Sequence, residues 1–357
     1  MSELYAVIMC GGKGERFWPK SRRTSPKQFI RLFGDRSLTR QTSDRMLKLC
    51  PVERQVFIAP AEYERVMREQ VKTRKANLIL EPVGRNTAPA IGVAAAYLAA
   101  RDTDASMVVL PADHLITKHA KLLACVRLAA KLAQQGLLVT FGIPPSRPDT
   151  GYGYIKVGDR LTSKGIQAFR VLGFREKPDP RTARRYVKAG SYLWNSGMFV
   201  WRVDVIFSAF ERYMPEFHSS LLRLRDAVGT KSEKRVLNKV YRDAPSISVD
   251  YAIMEKAGNI AAVRATFDWD DVGSWLALAR HMKQDKVGNV VRGTCVGKDM
   301  RGCIVDADSG LLAVLGCRDL VIVRSGEAVL VAHKDRLDDI KALVKLVGES
   351  RHGGGYL

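Results

Sequence analysis

The sequence predicts an α/β protein with a mixed, mostly parallel sheet over residues 1–285, then a small all-β module with a terminal helix over residues 286–357. Three observations predict it. Short apolar runs alternate with helical stretches up to residue 143, the pattern of a parallel sheet with helices on both faces. Polar clusters at Gly11, Glu81 and Asp113 each follow directly on such a run, where open α/β sheets bind their ligands. From about Gly288 the composition shifts to short apolar strands separated by Gly and Asp turns.

Residues 4–10 form an apolar run bounded by glycine, which reads as a buried first strand. Gly11, Gly12, Lys13 and Gly14 then break the chain. Glycines there permit positive φ and let backbone N–H groups approach a ligand with no Cβ in the way. Arg16, Arg22, Arg23 and Lys27 follow, a set that suits a polyphosphate. Pro19, Pro26 and the four Lys/Arg residues of 18–29 mark a long basic loop rather than a helix. No stretch supplies a Walker loop, and Phe17 stands where a dinucleotide fingerprint needs its third glycine.

Further strands are expected at 55–59, 77–81, 107–110 and 137–143. Helices are expected at 37–49, 62–70, 88–101 and 118–135, the alanine-rich 88–101 being buried on one side. Residues 144–201 read as strand-and-turn pieces, with a helix at 181–189. Surface helices follow over 203–241, then a helix at 248–256 and a strand at 261–266. The β module shows five short strands, at 290–291, 303–305, 312–315, 320–323 and 329–332, in the manner of a partial β-solenoid. A helix over 337–347 closes it, and residues 351–355 are expected to be disordered.

A net charge of +21 admits nucleic acid, an anionic membrane or anionic small substrates as partners. The cations are dispersed, with no RNA-recognition signature and no zinc-finger spacing, so the expectation is small phosphorylated substrates, no nucleic acid and no membrane. The six cysteines form no C-x-x-C pair and several lie in apolar runs, as buried thiols of a reducing compartment do. No leader segment is apparent and no apolar stretch is long enough to span a bilayer, which makes a cytoplasmic location the expectation.

Asp113 follows a buried strand, and Asp271 follows another within the acidic run that also holds Asp268 and Asp270. Mg²⁺ takes only one or two protein carboxylates, so such positions suffice for it. Glu81 at a strand end could accept guanine N1–H and N2–H₂ together, whereas adenine would offer it a lone pair at N1. His114 reads as a supporting or structural neighbour of Asp113, since no pair of histidines has zinc spacing.

Gly11 to Pro19, as Gly-Gly-x-Gly-x-Arg-Phe-Trp-Pro, followed by Ser25-Pro26-Lys27-Gln28-Phe29, resembles the signature of the sugar-1-phosphate nucleotidyltransferases, and more narrowly of the mannose-1-phosphate guanylyltransferases. The resemblance implies a Rossmann-like nucleotidyltransferase domain that joins GTP and mannose 1-phosphate into GDP-mannose and pyrophosphate with Mg²⁺. It implies Arg16, Lys27 and the loop from Gly11 to Gly14, Lys13 included, at the triphosphate. Asn86 and Thr87 would touch base or ribose. Asp113 and Asp271 would hold the metal, the second ligand remaining open among Asp268, Asp270 and Asp271. Glu176 would bind sugar hydroxyls and Lys177 the sugar's phosphate. Gly151, Tyr152 and Gly153, Asn195 and Gly197, and Asp250 would surround the hexose. Some relatives carry a C-terminal isomerase module for which no chain is seen after residue 357, so a monofunctional enzyme is expected, with a homodimer possible through the β module. Two other readings stay open: another hexose phosphate or base, and a regulatory protein that binds nucleotide sugars without turnover. Charge alone keeps a third, RNA binding.

Overall fold

A computed structural model describes residues 3–12, 14–71, 77–351 and 353–357. Lys13 lies outside the described residues. Nine strands form the main sheet: β1 (Leu4–Met9), β2 (Gln55–Pro60), β3 (Leu78–Glu81), β4 (Ser106–Pro111), β5 (Leu138–Ile143), β6 (Tyr154–Arg160), β7 (Ala168–Arg175), β8 (Tyr192–Arg202) and β9 (Ile260–Arg264). Their spatial order is β3-β2-β1-β4-β8-β5-β9-β7-β6. The first four run parallel. β8 enters antiparallel between β4 and β5, and β9 returns parallel to β5.

The helices in chain order are α1 (Leu38–Met46), α2 (Glu64–Gln70), α3 (Thr87–Ala99), α4 (His119–Ala133), α5 (Pro180–Ala189), α6 (Val203–Tyr213), α7 (Pro215–Ala227), α8 (Glu233–Asp243), α9 (Leu276–His281) and α10 (Ile340–Glu349). Ser37 caps α1 and Asp179 caps α5, each accepting from backbone N–H groups of the first turn. Helix α3 is buried on every side from Ala88 to Leu98, not on one side as its alanines suggest. One side meets the sheet, and α6 and α7 cover the other. A Cβ on Gly92 would fall 2.8 Å from Phe217 and 2.9 Å from Leu221, so glycine permits that close approach. Phe207, Phe210 and Phe217 therefore belong to the core, although 203–241 reads as surface helix. Residues 250–254 form one turn of π-helix inside the stretch expected as a longer helix.

The second sheet has four strands: β10 (Val290–Lys298), β11 (Ile304–Leu315), β12 (Leu320–Ser325) and β13 (Ala328–His333). β10 to β12 run parallel, as stacked solenoid turns do, and β13 closes the sheet antiparallel. The expected strands at 303–305 and 312–315 are one strand, continuous through Asp308, Ser309 and Gly310. Of the tail expected to be disordered, His352 lies outside the described residues, while Gly353–Tyr356 form a 3₁₀ turn whose Tyr356 carbonyl accepts from the Trp18 indole at 2.8 Å.

Phe17, Trp18, Leu32 and Trp275 share one apolar core with Val290, Ile304, Val321 and Ile340. Asp306, with no exposed side-chain surface, holds Lys20 at 2.7 Å and accepts from Arg292 Nε at 2.9 Å. Arg292 also donates to the carbonyls of Arg31 and Leu32. The basic loop is thus clamped between the two sheets. All six cysteines are free, four of them buried.

Candidate active site

The carboxyl ends of β1 to β4 open into a cavity of about 290 Å³ lined by Gly11, Gly12, Glu81, Asn86, Thr87 and Asp113 among others. Strands running parallel deliver these residues to one edge, as open α/β sheets do. Gly14 has φ of +61°, and a Cβ there would stand 2.5 Å from Lys27 Cβ. Glycine is required on both counts, and its absence of a side chain lets the loop fold onto Lys27.

Glu81 is buried and lines this cavity. Burial pushes its carboxyl up to about 7, and the nearby Tyr241 hydroxyl offsets only part of that. Asn86 has φ of +69°, and its side chain accepts from Thr87 N–H at 2.8 Å, capping α3. Thr87 Oγ1 accepts from Val249 N–H at 2.9 Å, and Ala88 N–H donates to the Ile247 carbonyl. These bonds tie the loop beside Glu81 to the segment that carries Asp250.

The segments that carry the two candidate metal carboxylates meet through an isolated antiparallel bridge, Leu115 with Asp270. Both of its hydrogen bonds form, at 2.9 and 3.1 Å. Counting outward from that pair sets His114 opposite Asp271 and Asp113 opposite Val272. Lys27 Nζ lies 2.6 Å from Asp113 Oδ2 and donates to the Asp271 carbonyl at 2.7 Å and the Val272 carbonyl at 3.1 Å. Val272 makes these carbonyls converge by adopting φ of +50°, a conformation β-branched residues avoid. Burial would raise the Asp113 carboxyl; the Lys27 ammonium and His114 outweigh it and hold it below the ordinary range.

Residues 268–271 divide by direction. Asp268 accepts from the N–H groups of Thr117 and Lys118 ahead of α4. Asp270 is buried and paired with Arg280 at 2.7 and 2.9 Å and with His281 at 2.7 Å. Asp271 instead accepts from the Tyr152 hydroxyl at 2.8 Å, and a Cβ on Gly273 would lie 3.0 Å from its Oδ2 and 3.5 Å from Arg16 Nη1. Arg16 and Asp271 thus flank Gly273. Trp269, which the sequence reading did not single out, donates its indole N–H to His114 Nδ1 at 3.1 Å. An indole can only donate, so His114 carries its proton on Nε2, which lies 3.9 Å from Asp113 Oδ1. The Trp269 ring also packs edge-on against Tyr152, centroids 5.3 Å apart. The alternation of a paired strand is the signal that separates Trp269 and Asp271 from Asp268 and Asp270.

A second cluster adjoins this one. Asn195 N–H donates to the Gly153 carbonyl at 2.8 Å, Asn195 Nδ2 to Asp250 Oδ1 at 2.7 Å, and Gly197 N–H to Asn195 Oδ1 at 3.3 Å. A Cβ on Gly153 would fall 2.4 Å from Glu176 Oε2. Gly151 N–H is held by Asp149 at 2.9 Å. Burial pushes the Asp250 carboxyl up to about 6; Asn195 opposes this and Glu176 adds to it. Lys177 stands at the exposed rim, 3.4 Å from Glu176, with φ of +42°. Gly151, Tyr152, Gly153, Glu176, Asn195, Gly197 and Asp250 therefore form one neighbourhood, with Tyr152 joining it to Asp271. Among the described residues no group of three or more His, Cys, Asp or Glu side chains forms a metal cage.

The family described as nucleotidyl transferase matches residues 5–287, and a MannoseP isomerase/GMP-like beta-helix domain matches residues 293–346. A Klebsiella pneumoniae protein named mannose-1-phosphate guanylyltransferase is 38% identical over 98% of this chain and 74% of its own length. The Pseudomonas aeruginosa alginate biosynthesis protein AlgA is 37% identical over 96% of this chain and 72% of its own. A crystal structure from Thermus thermophilus, described as mannose-1-phosphate geranyltransferase, superposes with a TM-score of 0.87 at 38% identity, covering 97% of this chain and 99% of that one. With two sheets, glycines lining the cavity, and relatives of that name matched over nearly the whole of this chain, the chain belongs to the nucleotidyl transferase family, in the branch of the mannose-1-phosphate guanylyltransferases.

Proposed function

We propose that the chain transfers GMP from GTP to α-D-mannose 1-phosphate, giving GDP-mannose and pyrophosphate. The observation that carries this reading is the Lys27 ammonium, which joins Asp113, a lining residue of the cavity that Gly11 and Gly12 also line, to the backbone of Asp271. The names of the relatives support the choice of sugar and base.

The sugar phosphate is a monoester with a second pKa of about 6, so it is a dianion at neutral pH. One of its oxygens attacks the α-phosphorus of GTP. The bond from that phosphorus to the β-bridging oxygen breaks, and pyrophosphate leaves with the electron pair. The nucleophile needs no general base, and the protein's task is positioning and charge neutralisation. Arg16, Lys27 and the N–H groups of Gly11, Gly12 and Gly14 serve the triphosphate; Lys13 is assigned there from sequence alone. Asp113 and Asp271, both half-buried and sharing a cationic neighbour, suit Mg²⁺ and would hold it. Bound there, the ion would neutralise charge on the phosphates. Glu81 accepts from guanine N1–H and N2–H₂, with Asn86 and Thr87 shaping the nucleotide loop. Gly151, Gly153, Glu176, Asn195, Gly197 and Asp250 face the hexose, and Lys177 its phosphate. A homodimer through the β module, a cytoplasmic setting and a domain boundary near residue 285 complete the reading.

Pyrophosphate release with GTP, ATP and UTP against several hexose 1-phosphates tests it. The expected result is preference for GTP with mannose 1-phosphate, lost in Asp113→Asn. Binding of GDP-mannose with no release from any pair would favour a regulatory protein and overturn the assignment.

A further inference from the structure

A lysine ammonium has three N–H bonds and no acceptor. Lys27 spends all three on protein atoms: Asp113 Oδ2 at 2.6 Å, the Asp271 carbonyl at 2.7 Å and the Val272 carbonyl at 3.1 Å. Its side chain is 9% exposed and its stem is pressed against Gly14. No hydrogen is left for a phosphate oxygen unless one of these contacts opens. The two carbonyls sit in a turn fixed by the Val272 backbone and by the bond from Val272 N–H to Asp270 Oδ1 at 2.8 Å. Asp113 is a side chain, 31% exposed, and is the partner that can let go.

Resting on the assignment of Asp113 and Asp271 to the metal, we infer that Lys27 is the site's own counter-ion in the ligand-free protein. It neutralises Asp113 until a nucleotide draws the ammonium onto its phosphates. A divalent cation placed at Asp113 while the ammonium remains would meet a like charge within a few ångströms, at low local dielectric. Once the triphosphate takes the ammonium, that repulsion is gone and Asp113 is open. The site therefore admits metal poorly by itself and well together with nucleotide, which guards against unproductive metal loading.

The experiment is Mn²⁺ binding to the full chain, read as loss of the free-ion electron paramagnetic resonance signal. Wild type should bind Mn²⁺ weakly alone, and with GTP present should remove markedly more free-ion signal than the same GTP does without protein. Lys27→Met and Lys27→Gln should bind Mn²⁺ alone about tenfold or more tightly than wild type, although both lose turnover. Adding Asp113→Asn to Lys27→Met should return the affinity to the wild-type level. The inference falls if both lysine variants, folded by circular dichroism, bind Mn²⁺ alone no better than wild type. It falls equally, with no substitution needed, if wild type alone binds Mn²⁺ as tightly as it does with GTP once the signal lost to GTP without protein is subtracted. Failure of the underlying assignment looks different: protein-bound Mn²⁺ in the presence of GTP would survive Asp113→Asn.

Discussion

Glu81→Gln should stabilise the free protein above neutral pH while costing it guanine. The Glu81 carboxyl, 7% exposed, is displaced from 4.5 to about 7, chiefly by burial. A carboxyl whose value is raised on folding contributes stability that is whole below about pH 4.5 and lost as pH rises through about 7. At about 1.4 kcal/mol per decade of proton affinity, the full loss is about 3 kcal/mol. Glutamine keeps the shape without the titration, so the wild type should lose up to about 3 kcal/mol relative to the variant between pH 4.5 and pH 8. Urea unfolding across that range measures it. Guanine's donors favour the ionised carboxylate, so GTP affinity of the wild type should rise as pH climbs through about 7 and then level. The variant's affinity should be flat with pH and about 10- to 100-fold weaker, the loss of a charge-assisted pair. A pH-independent stability difference would show that the carboxyl is not buried as described. A variant that still prefers GTP over ATP would show that Glu81 does not read the base.

Asp250, raised to about 6, should make KM for mannose 1-phosphate fall as pH rises through that value. Asp250→Asn should remove this dependence and leave only the titration of the substrate itself, which initial-rate kinetics on both proteins separates. Asp306→Ala strands Lys20 and Arg292 between the sheets and should cost about 3–5 kcal/mol in denaturant unfolding; a cost below about 1 kcal/mol would place the clamp in solvent. Tyr152→Phe keeps the ring contacts with Trp194 and Trp269 but frees Asp271. It should weaken Mn²⁺ binding about tenfold with little change in melting temperature, and unchanged metal affinity would refute a positioning role. Gly14→Ala forces a Cβ into Lys27 and should lower kcat without unfolding the chain, as steady-state rates beside circular dichroism would show.

The strands that end in Gly11, Glu81 and Asp113 were legible because each is a short apolar run followed at once by polar residues. Which aspartate of 268–271 turns toward Tyr152 and Gly273 was not, because adjacent carboxylates look alike until Leu115 pairs with Asp270 and fixes the alternation. Helix α3 hides its surroundings in the same way: alanine suits one buried face or two, and only α6 and α7 decide between them. Trp269 carries no local signal, since its value lies in one N–H bond to a residue 155 positions away. The chain end was expected to be loose from its glycines, but Trp18 supplies it with a partner no local pattern announces.

The core shared by Phe17, Trp18 and Trp275 with the second sheet limits how this architecture can be cut or recombined. A truncation near residue 287 would strip the basic loop of its backing, so a catalytic half made that way would be a scaffold missing its floor. Grafting a foreign solenoid would need Lys20 and Arg292 rewired along with the apolar contacts. The accessory sheet is better regarded as the fixed jaw of a vice than as cargo towed behind an enzyme.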